Sequence, residues 1–427
     1  MTPSISSRRP PIQRTLQRLC IGSLLWGFLV SSTVRAFSPT SPTTFLFRPP
    51  SHYHYHHHHH HHHHPSARAR ISIPQGSSSL ALAKTDGGDD TVCTIQILMS
   101  DTGGGHRASA NALRDAFDVL YPGQIQCDIV DIFTDYGPFW PYDDVVAGYK
   151  LMAEYPITWE IFYRFGESEF GMCLNNVMQE AFCFDSFKEC MNRPSGTTKK
   201  RADMVVSVHP LCQDLPLRIL ADLDSGGQSR EPSARKTPFC TVVTDLGSAH
   251  PTWFNPDVDK CFVPSDVLNQ AAKKRKLQSE QIVQHGLPIR KGFWSTGSSA
   301  TMISKVSKEA MRKELGLDID LPVVLIVGGG DGMGGIESIS KELGNQLGRS
   351  GTKPTAQMVV VCGNNDAAKK KLEASNWGKG VKTYIKGFVN NMDEFMRASD
   401  ALVTKAGPGT IAEASICGLP CMLFSFL

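Results

Sequence analysis

Acidic residues are missing from the first 85 positions, which carry nine Arg or Lys and no Asp or Glu. The rest of the chain then sets 35 of the 44 basic residues against all 41 acidic ones, a net charge of −6. No basic concentration remains there, which argues against a nucleic-acid-binding surface. The twelve cysteines contain no C-x-x-C pair and no regular spacing, so neither a zinc site nor a disulfide framework is expected. Cys93, Cys240, Cys261 and Cys362 sit inside apolar runs instead, as small hydrophobes of a reducing compartment. After residue 85 no apolar run is long enough for a membrane-spanning helix. Histidine is scarce outside one tract: His52, His54 and His56 to His64 hold eleven of the fifteen, and a spacer role suits that tract. The other four, His106, His209, His250 and His285, stand beside strand ends or Pro/Gly turns.

The acid-free N-terminus has an internal order. Arg8, Arg9, Arg14 and Arg18 precede an apolar run from Leu19 to Val30 and small residues up to Ala36, the layout of a signal peptide. From Phe37 onward the composition is Ser/Pro/Arg-rich, as in a transit peptide. Together, residues 1–85 resemble a bipartite presequence for import into plastids bounded by extra membranes.

Beyond it, short β-branched runs alternate with helical spacing. Strands are expected at 94–99, 126–133, 204–208, 239–243, 260–263, 281–284, 323–327, 357–362, 383–385, 401–403 and 421–425. Ala112, Leu113, Ala116, Phe117 and Leu120 share one helical face. Such alternation predicts an α/β fold with parallel sheets covered by helices. The charged, Ser/Thr-rich stretch 291–320 reads as a link between an N-terminal half, 91–290, and a C-terminal half, 321–427. Residues 224–236 read as a surface loop.

The most informative segment runs from Thr94 to Ala110: an apolar strand enters Gly103-Gly104-Gly105, and His106 opens an Ala-rich helix. Glycines let backbone approach a ligand, and the helix start favours negative charge. His106 is the residue there able to take a proton near neutral pH. The second half repeats the device: Val323 to Val327 run into Gly328-Gly329-Gly330-Asp331-Gly332-Met333-Gly334-Gly335. A third loop, Lys405-Ala406-Gly407-Pro408-Gly409-Thr410, follows the strand at 401–403, with Glu413 one turn later. Glycines and Thr410 suit a pyrophosphate, and Glu413 suits ribose hydroxyls. Two Rossmann-like halves facing across a cleft at the carboxyl ends of their strands are therefore expected.

Other readings compete. Gly103-x-Gly105-x-x-Ala108 and Gly330-x-Gly332-x-x-Gly335 also fit a dinucleotide fingerprint, with Asp128 or Asp131 near ribose distance, which would suit an NAD-dependent oxidoreductase. The third loop and the histidine after the glycines favour a sugar-nucleotide transferase. Twelve of the 36 aromatic residues fall between Phe133 and Phe170, a density that suits a membrane-docking face, an apolar acceptor groove or a packed helical pair. Three D-x-D triplets, Asp222/Asp224, Asp257/Asp259 and Asp318/Asp320, lie away from the glycine loops, and no metal is expected in catalysis.

These motifs carry a family resemblance. Ser100 to Ala110, Asp131 to Pro141, Ser207 to Pro210, Thr244-Asp245, His250 to Phe254, Gly328 to Gly334, Lys386 to Val389 and Thr404 to Gly418 resemble the monogalactosyldiacylglycerol synthases of plastids, two-Rossmann-domain (GT-B) glycosyltransferases. The resemblance implies transfer of galactose from UDP-galactose to the free hydroxyl of 1,2-diacylglycerol, with inversion, at a plastid envelope or thylakoid membrane. It implies His106 as general base or pyrophosphate stabiliser, with His209 and Asp245 on the acceptor side. Donor contacts would come from Gly105, Gly329, Gly330, Asp331, Gly332, Met333, Gly387, Phe388, Val389, Lys405, Ala406, Gly407, Pro408, Gly409, Thr410 and Glu413. Pro141, Arg218 and Trp253 would meet an activating anionic lipid, phosphatidylglycerol. Peripheral membrane attachment through 133–170 and a homodimer are further expectations.

One departure bears on these. The chain stops at Cys421 to Leu427, within a core strand of the family pattern and before its Gly-Gln-Glu…Gly-Asn segment. A truncated second domain is the expectation, with a glucosyl-transferring relative or a non-catalytic binding remnant as alternatives.

Overall fold

The computed structural model describes residues 92–102, 104–139, 141–145, 148, 156–196, 200–296, 305–329, 335–348 and 353–425. The presequence expected at 1–85 lies outside them, as do Gly103 and Gly330, Asp331, Gly332 and Met333.

The first half is a parallel sheet in the order β2-β1-β3-β4-β5-β6. Its strands are β1 (Cys93–Met99), β2 (Ile125–Asp131), β3 (Met204–Ser207), β4 (Phe239–Val242), β5 (Lys260–Val263) and β6 (Ile282–Gln284). Between them run α1 (Gly105–Leu120), α2 (Ile132–Tyr136), α3 (Pro156–Glu167), α4 (Glu169–Asn192), α5 (Asp214–Asp224) and α6 (Asp266–Lys274). The side chains of β1 alternate between two cores, as a strand covered on both faces requires. Ile95, Ile97 and Met99 join Ala110, Leu113 and Phe117 of α1. Leu98 faces the other way, toward Phe187 of α4 and Leu215 and Ile219 of α5.

The second half is a parallel sheet in the order β11-β10-β7-β8-β9. It comprises β7 (Val323–Val327), β8 (Ala356–Val361), β9 (Val381–Lys386), β10 (Ala401–Lys405) and β11 (Cys421–Ser425). Its helices are α7 (Lys305–Glu314), α8 (Ile336–Gly348), α9 (Asp366–Glu373), α10 (Met392–Ala398) and α11 (Pro408–Ile416). The stretch expected as a link, 291–320, is structured where it is described. Phe293, Met311, Leu315 and Leu317 pack into the second core with Phe395 and Met396. Arg312 anchors α7, donating to the Ala398 carbonyl at 3.0 Å and pairing with Asp400 at 2.6 Å. A polar-looking stretch thus conceals an apolar face and one buried guanidinium.

Both sheets reverse their order beside their first strand. In the first, β2 lies on one side of β1 and β3 on the other; in the second, β8 and β10 flank β7. Crevices at the carboxyl ends of strands form at such reversals. The glycine loops after β1 and β7 and the Lys405 loop after β10 all stand there. The helices that follow β1 and β10, α1 and α11, are in contact.

Candidate active site

The first site grows from β1. Gly104 caps α1 with φ 78°, a left-handed conformation that a side chain resists, and no side chain caps the helix start. The cap residue itself puts no side-chain acceptor on the first-turn N–H groups of α1. Asp131 fixes the loop from below: its carboxylate accepts from the Asp101 N–H at 3.0 Å and from the Thr134 N–H at 3.1 Å, capping α2. That cap is why the strand expected to reach residue 133 ends at Asp131. Asp128 is equally committed, to Arg193 at 2.7 Å and Ser195 at 2.9 Å. The carboxylates that a dinucleotide reading assigns to ribose are structural.

His106 sits in the first turn of α1. Its Nδ1 lies 2.7 Å from the Val208 carbonyl oxygen, just beyond β3, and 3.1 Å from Thr244 Oγ1, just beyond β4. A carbonyl only accepts, so the Nδ1 atom carries the proton and Nε2 keeps a lone pair. Burial pushes the imidazole down from its ordinary 6.5 to about 4, against the raising pull of the Val208 bond and Asp101. At neutral pH the ring is uncharged and its Nε2 lone pair is unprotonated.

His209 packs edge-on to His106, ring centroids 4.6 Å apart. It is buried, and burial followed by His106 lowers its pKa well below the usual histidine range. Its Nδ1 accepts from the Leu211 N–H at 3.3 Å, and its Nε2 meets Thr102 Oγ1 at 3.4 Å. Both nitrogens are engaged, so His209 supports His106 and Thr102 from behind. Asp245 follows Thr244 directly; it accepts from Trp253 Nε1 at 2.8 Å, and burial raises its pKa despite that bond.

The second-half loops converge as well. Gly329 has φ +79°, and a Cβ there would stand 2.9 Å from the Lys405 Cε, so Lys405 lies across a glycine that must stay a glycine. Gly407 caps α11 without a side-chain bond, and Pro408 opens it. Ala406, Gly407, Pro408 and Thr410 are half-buried and Gly409 is exposed. Gly387 and Val389 follow β9; Val389 packs against the second core, while Phe388 is 61% exposed and offers a free ring face. Glu413 is 4% exposed and held by a fork from Arg290, Nε to Oε1 at 2.6 Å and Nη2 to Oε2.

Residues 106–289 match the family described as Monogalactosyldiacylglycerol (MGDG) synthase, and 323–426 match the Glycosyltransferase family 28 C-terminal domain. A probable monogalactosyldiacylglycerol synthase 2 of Oryza sativa subsp. japonica is 40% identical over 334 residues, 78% of this chain and 66% of that protein. Monogalactosyldiacylglycerol synthase 3 of Arabidopsis thaliana is 36% identical over 341 residues, 80% of this chain and 68% of that protein. The chain belongs to the monogalactosyldiacylglycerol synthase family. It spans between 58% and 68% of the length of the relatives it matches. Among solved structures, UDP-GlcNAc 2-epimerase from Neisseria meningitidis aligns with a TM-score of 0.45 at 13% identity, covering 78% of this chain and 83% of that one.

Within this monogalactosyldiacylglycerol synthase family fold, the residues expected to meet anionic lipid separate. Trp253 is completely buried, 6.1 Å from His106 by ring centroids, and its N–H is committed to Asp245. It is a core residue beside His106, with no exposed ring face. Arg218 on α5 pairs with Asp214 at 3.0 Å and Glu180 at 3.6 Å, two carboxylates that offset its charge. Pro141 precedes the 3-10 turn Tyr142–Asp144 and is half-buried.

Sequence reading missed Thr244 as a His106 partner and Arg290 altogether. Thr244 could have been found beside Asp245; an isolated arginine 123 positions before Glu413 sends no local signal. It also missed an apolar stripe on α4. Phe170, Leu174 and Val177 recur at helical spacing and are 71%, 36% and 59% exposed. Among the described residues no helix is long and apolar enough to cross a membrane, and no three His, Cys, Asp or Glu side chains gather as a metal-ligand group. Four of the six D-x-D carboxylates pair with cations: Asp222 with Lys188, Asp224 with Arg201, Asp259 with Arg235 and Asp318 with Lys382.

Proposed function

We propose that this chain transfers galactose from UDP-galactose to the free hydroxyl of 1,2-diacylglycerol, with inversion, at a plastid membrane surface. The observation that carries the reading is the His106 tautomer, with Nδ1 spent on Val208 and the Nε2 lone pair left unprotonated in the first turn of α1. In the reaction the lipid oxygen attacks the anomeric carbon as the bond to the UDP oxygen breaks. Nε2 takes the hydroxyl proton, and UDP leaves with the electron pair. A pKa near 4 makes a weak base, but the diphosphate of a bound donor would favour the imidazolium and raise it. The charge building on UDP would meet the uncapped N–H groups of α1 and α11 and the Lys405 ammonium, as fixed donors stabilise a developing anion. Glu413 would receive the ribose hydroxyls, and the backbone of Gly387, Phe388 and Val389 would meet uracil.

The relatives named as chloroplastic support plastid placement, and the exposed stripe of α4, next to the aromatic-rich 133–170 region, supports a peripheral docking face. Phosphatidylglycerol activation would act through that membrane surface rather than through Trp253.

Labelled-galactose transfer into diacylglycerol vesicles tests the reading, comparing the chain with His106→Ala. The substitution should cost about 10²–10⁴-fold in kcat. Unchanged turnover would remove His106 from the chemistry. Protection from unfolding by NAD but not by UDP would restore the oxidoreductase alternative.

A further inference from the structure

The ion pair between half-buried Arg290 and buried Glu413 is unexplained by the reaction above. Glu413 is 4% exposed, and a carboxylate so placed needs a counter-charge in good geometry. Arg290 supplies it from outside the α11 loop, six residues after β6 ends. Its guanidinium is restrained on two sides: the fork grips both carboxylate oxygens, and the group lies 5.5 Å from the Phe293 ring centroid. Phe293 is buried in the second core, and its N–H donates to the Arg290 carbonyl at 3.0 Å. The arginine is therefore built into the scaffold.

A fork–fork pair uses one lone pair on each carboxylate oxygen and fixes the plane of the group. Each oxygen keeps a second lone pair, so two acceptors remain side by side on a carboxylate that cannot rotate. That arrangement matches two neighbouring hydroxyls, as on an intact ribose, and matches a 2′-deoxyribose only by half. We propose that Arg290 is a positioning residue that orients Glu413 so that the donor site selects ribonucleotides over 2′-deoxyribonucleotides. The proposal rests on the reading of the Lys405–Glu413 loop as the nucleotide site.

Calorimetric titration with UDP and with 2′-deoxy-UDP tests it on the full chain, Arg290→Ala, Arg290→Lys, Glu413→Ala and the Arg290→Ala/Glu413→Ala double variant. The unaltered chain should prefer UDP by about tenfold, the worth of one hydrogen bond to a charged acceptor. Arg290→Ala should lose most of that preference. Arg290→Lys keeps a counter-charge without the fork, so it should stay folded and still lose most of it. The double variant should discriminate no worse than Glu413→Ala alone. Full retention of the preference in Arg290→Lys would overturn the proposal. So would an equal loss of affinity for both nucleotides, which would place the guanidinium on the phosphates. Equal binding of both by the unaltered chain also defeats it while sparing the nucleotide site; binding of neither defeats the nucleotide reading as well.

Discussion

The Nδ1 of His106 and the carbonyl oxygen of Val208, 102 residues apart in sequence, lie 2.7 Å apart. This contact ties the helix after β1 to the loop after β3 across the point where the first sheet reverses its strand order. It decides which ring nitrogen is basic. Thr244, His209 and Trp253 complete the enclosure, which is why the ring resists protonation.

The pH dependence follows from that enclosure. Burial lowers His106 from 6.5 to about 4, so the free protein keeps a neutral, proton-accepting ring throughout the neutral range. kcat/KM should show no inflection near 6.5 when followed between about pH 5 and pH 8. Stability should behave otherwise. Between about pH 6.5 and pH 4 the unfolded chain binds a proton at this residue that the folded one refuses, so stability falls as pH drops through that window. His209, lowered by burial as well, adds in the same sense. Urea midpoints unchanged between about pH 7 and pH 5 would contradict the burial of this pair.

Trp253→Phe removes the indole N–H from Asp245 while keeping an aromatic ring in the core. Leaving that half-buried carboxyl without its donor should cost about 1–3 kcal/mol, measured by urea denaturation. Were Trp253 a lipid-binding residue, the variant would instead keep its stability and lose vesicle affinity.

Gly329→Ala places a Cβ on a backbone with φ +79° and 2.9 Å from Lys405 Cε. The left-handed conformation alone should cost about 1–2 kcal/mol. Lys405 must also move, so UDP affinity should fall together with the melting temperature. A gain in UDP affinity would mean that Lys405 does not face the nucleotide.

The exposed stripe on α4 predicts vesicle binding. Phe170→Ser and Val177→Ser remove side chains that are 71% and 59% exposed, so folding should be little disturbed. Each should weaken sedimentation with liposomes by about tenfold if the side chain inserts, the worth of about 1.5 kcal/mol of apolar burial. UDP binding should be unchanged. Undiminished sedimentation of the double variant would move the docking face elsewhere.

Much of this was legible in the chain. All eleven expected strands are present, and inner ones such as Val323–Val327 announce themselves as unbroken apolar runs. The three glycine loops stand at strand ends for the same local reason: glycines and a helix-opening residue leave a pattern within ten positions. What local pattern left unread was longer-ranged. The 291–320 stretch reads as a link because nine charged residues and seven Ser or Thr are spread through it, and local pattern does not show that Phe293, Leu315 and Leu317 pack into the second core. Trp253 was assigned to lipid on family resemblance alone, and nothing in its neighbours reveals its burial or the bond from its N–H to a carboxylate eight positions earlier.

The amino-acid order alone determined the alternation of strand and helix, the parallel sheets and the identity of the histidine at the first glycine loop. Periodicity and backbone preference act over a few residues, and that information is local. Only the tertiary structure decided the tautomer of His106, the burial of Trp253 and the clamp of Arg290 on Glu413. Each joins groups brought together by the order of strands in a sheet or the docking of a loop, and hydrogen bonds and burial depend on that final proximity rather than on spacing along the chain.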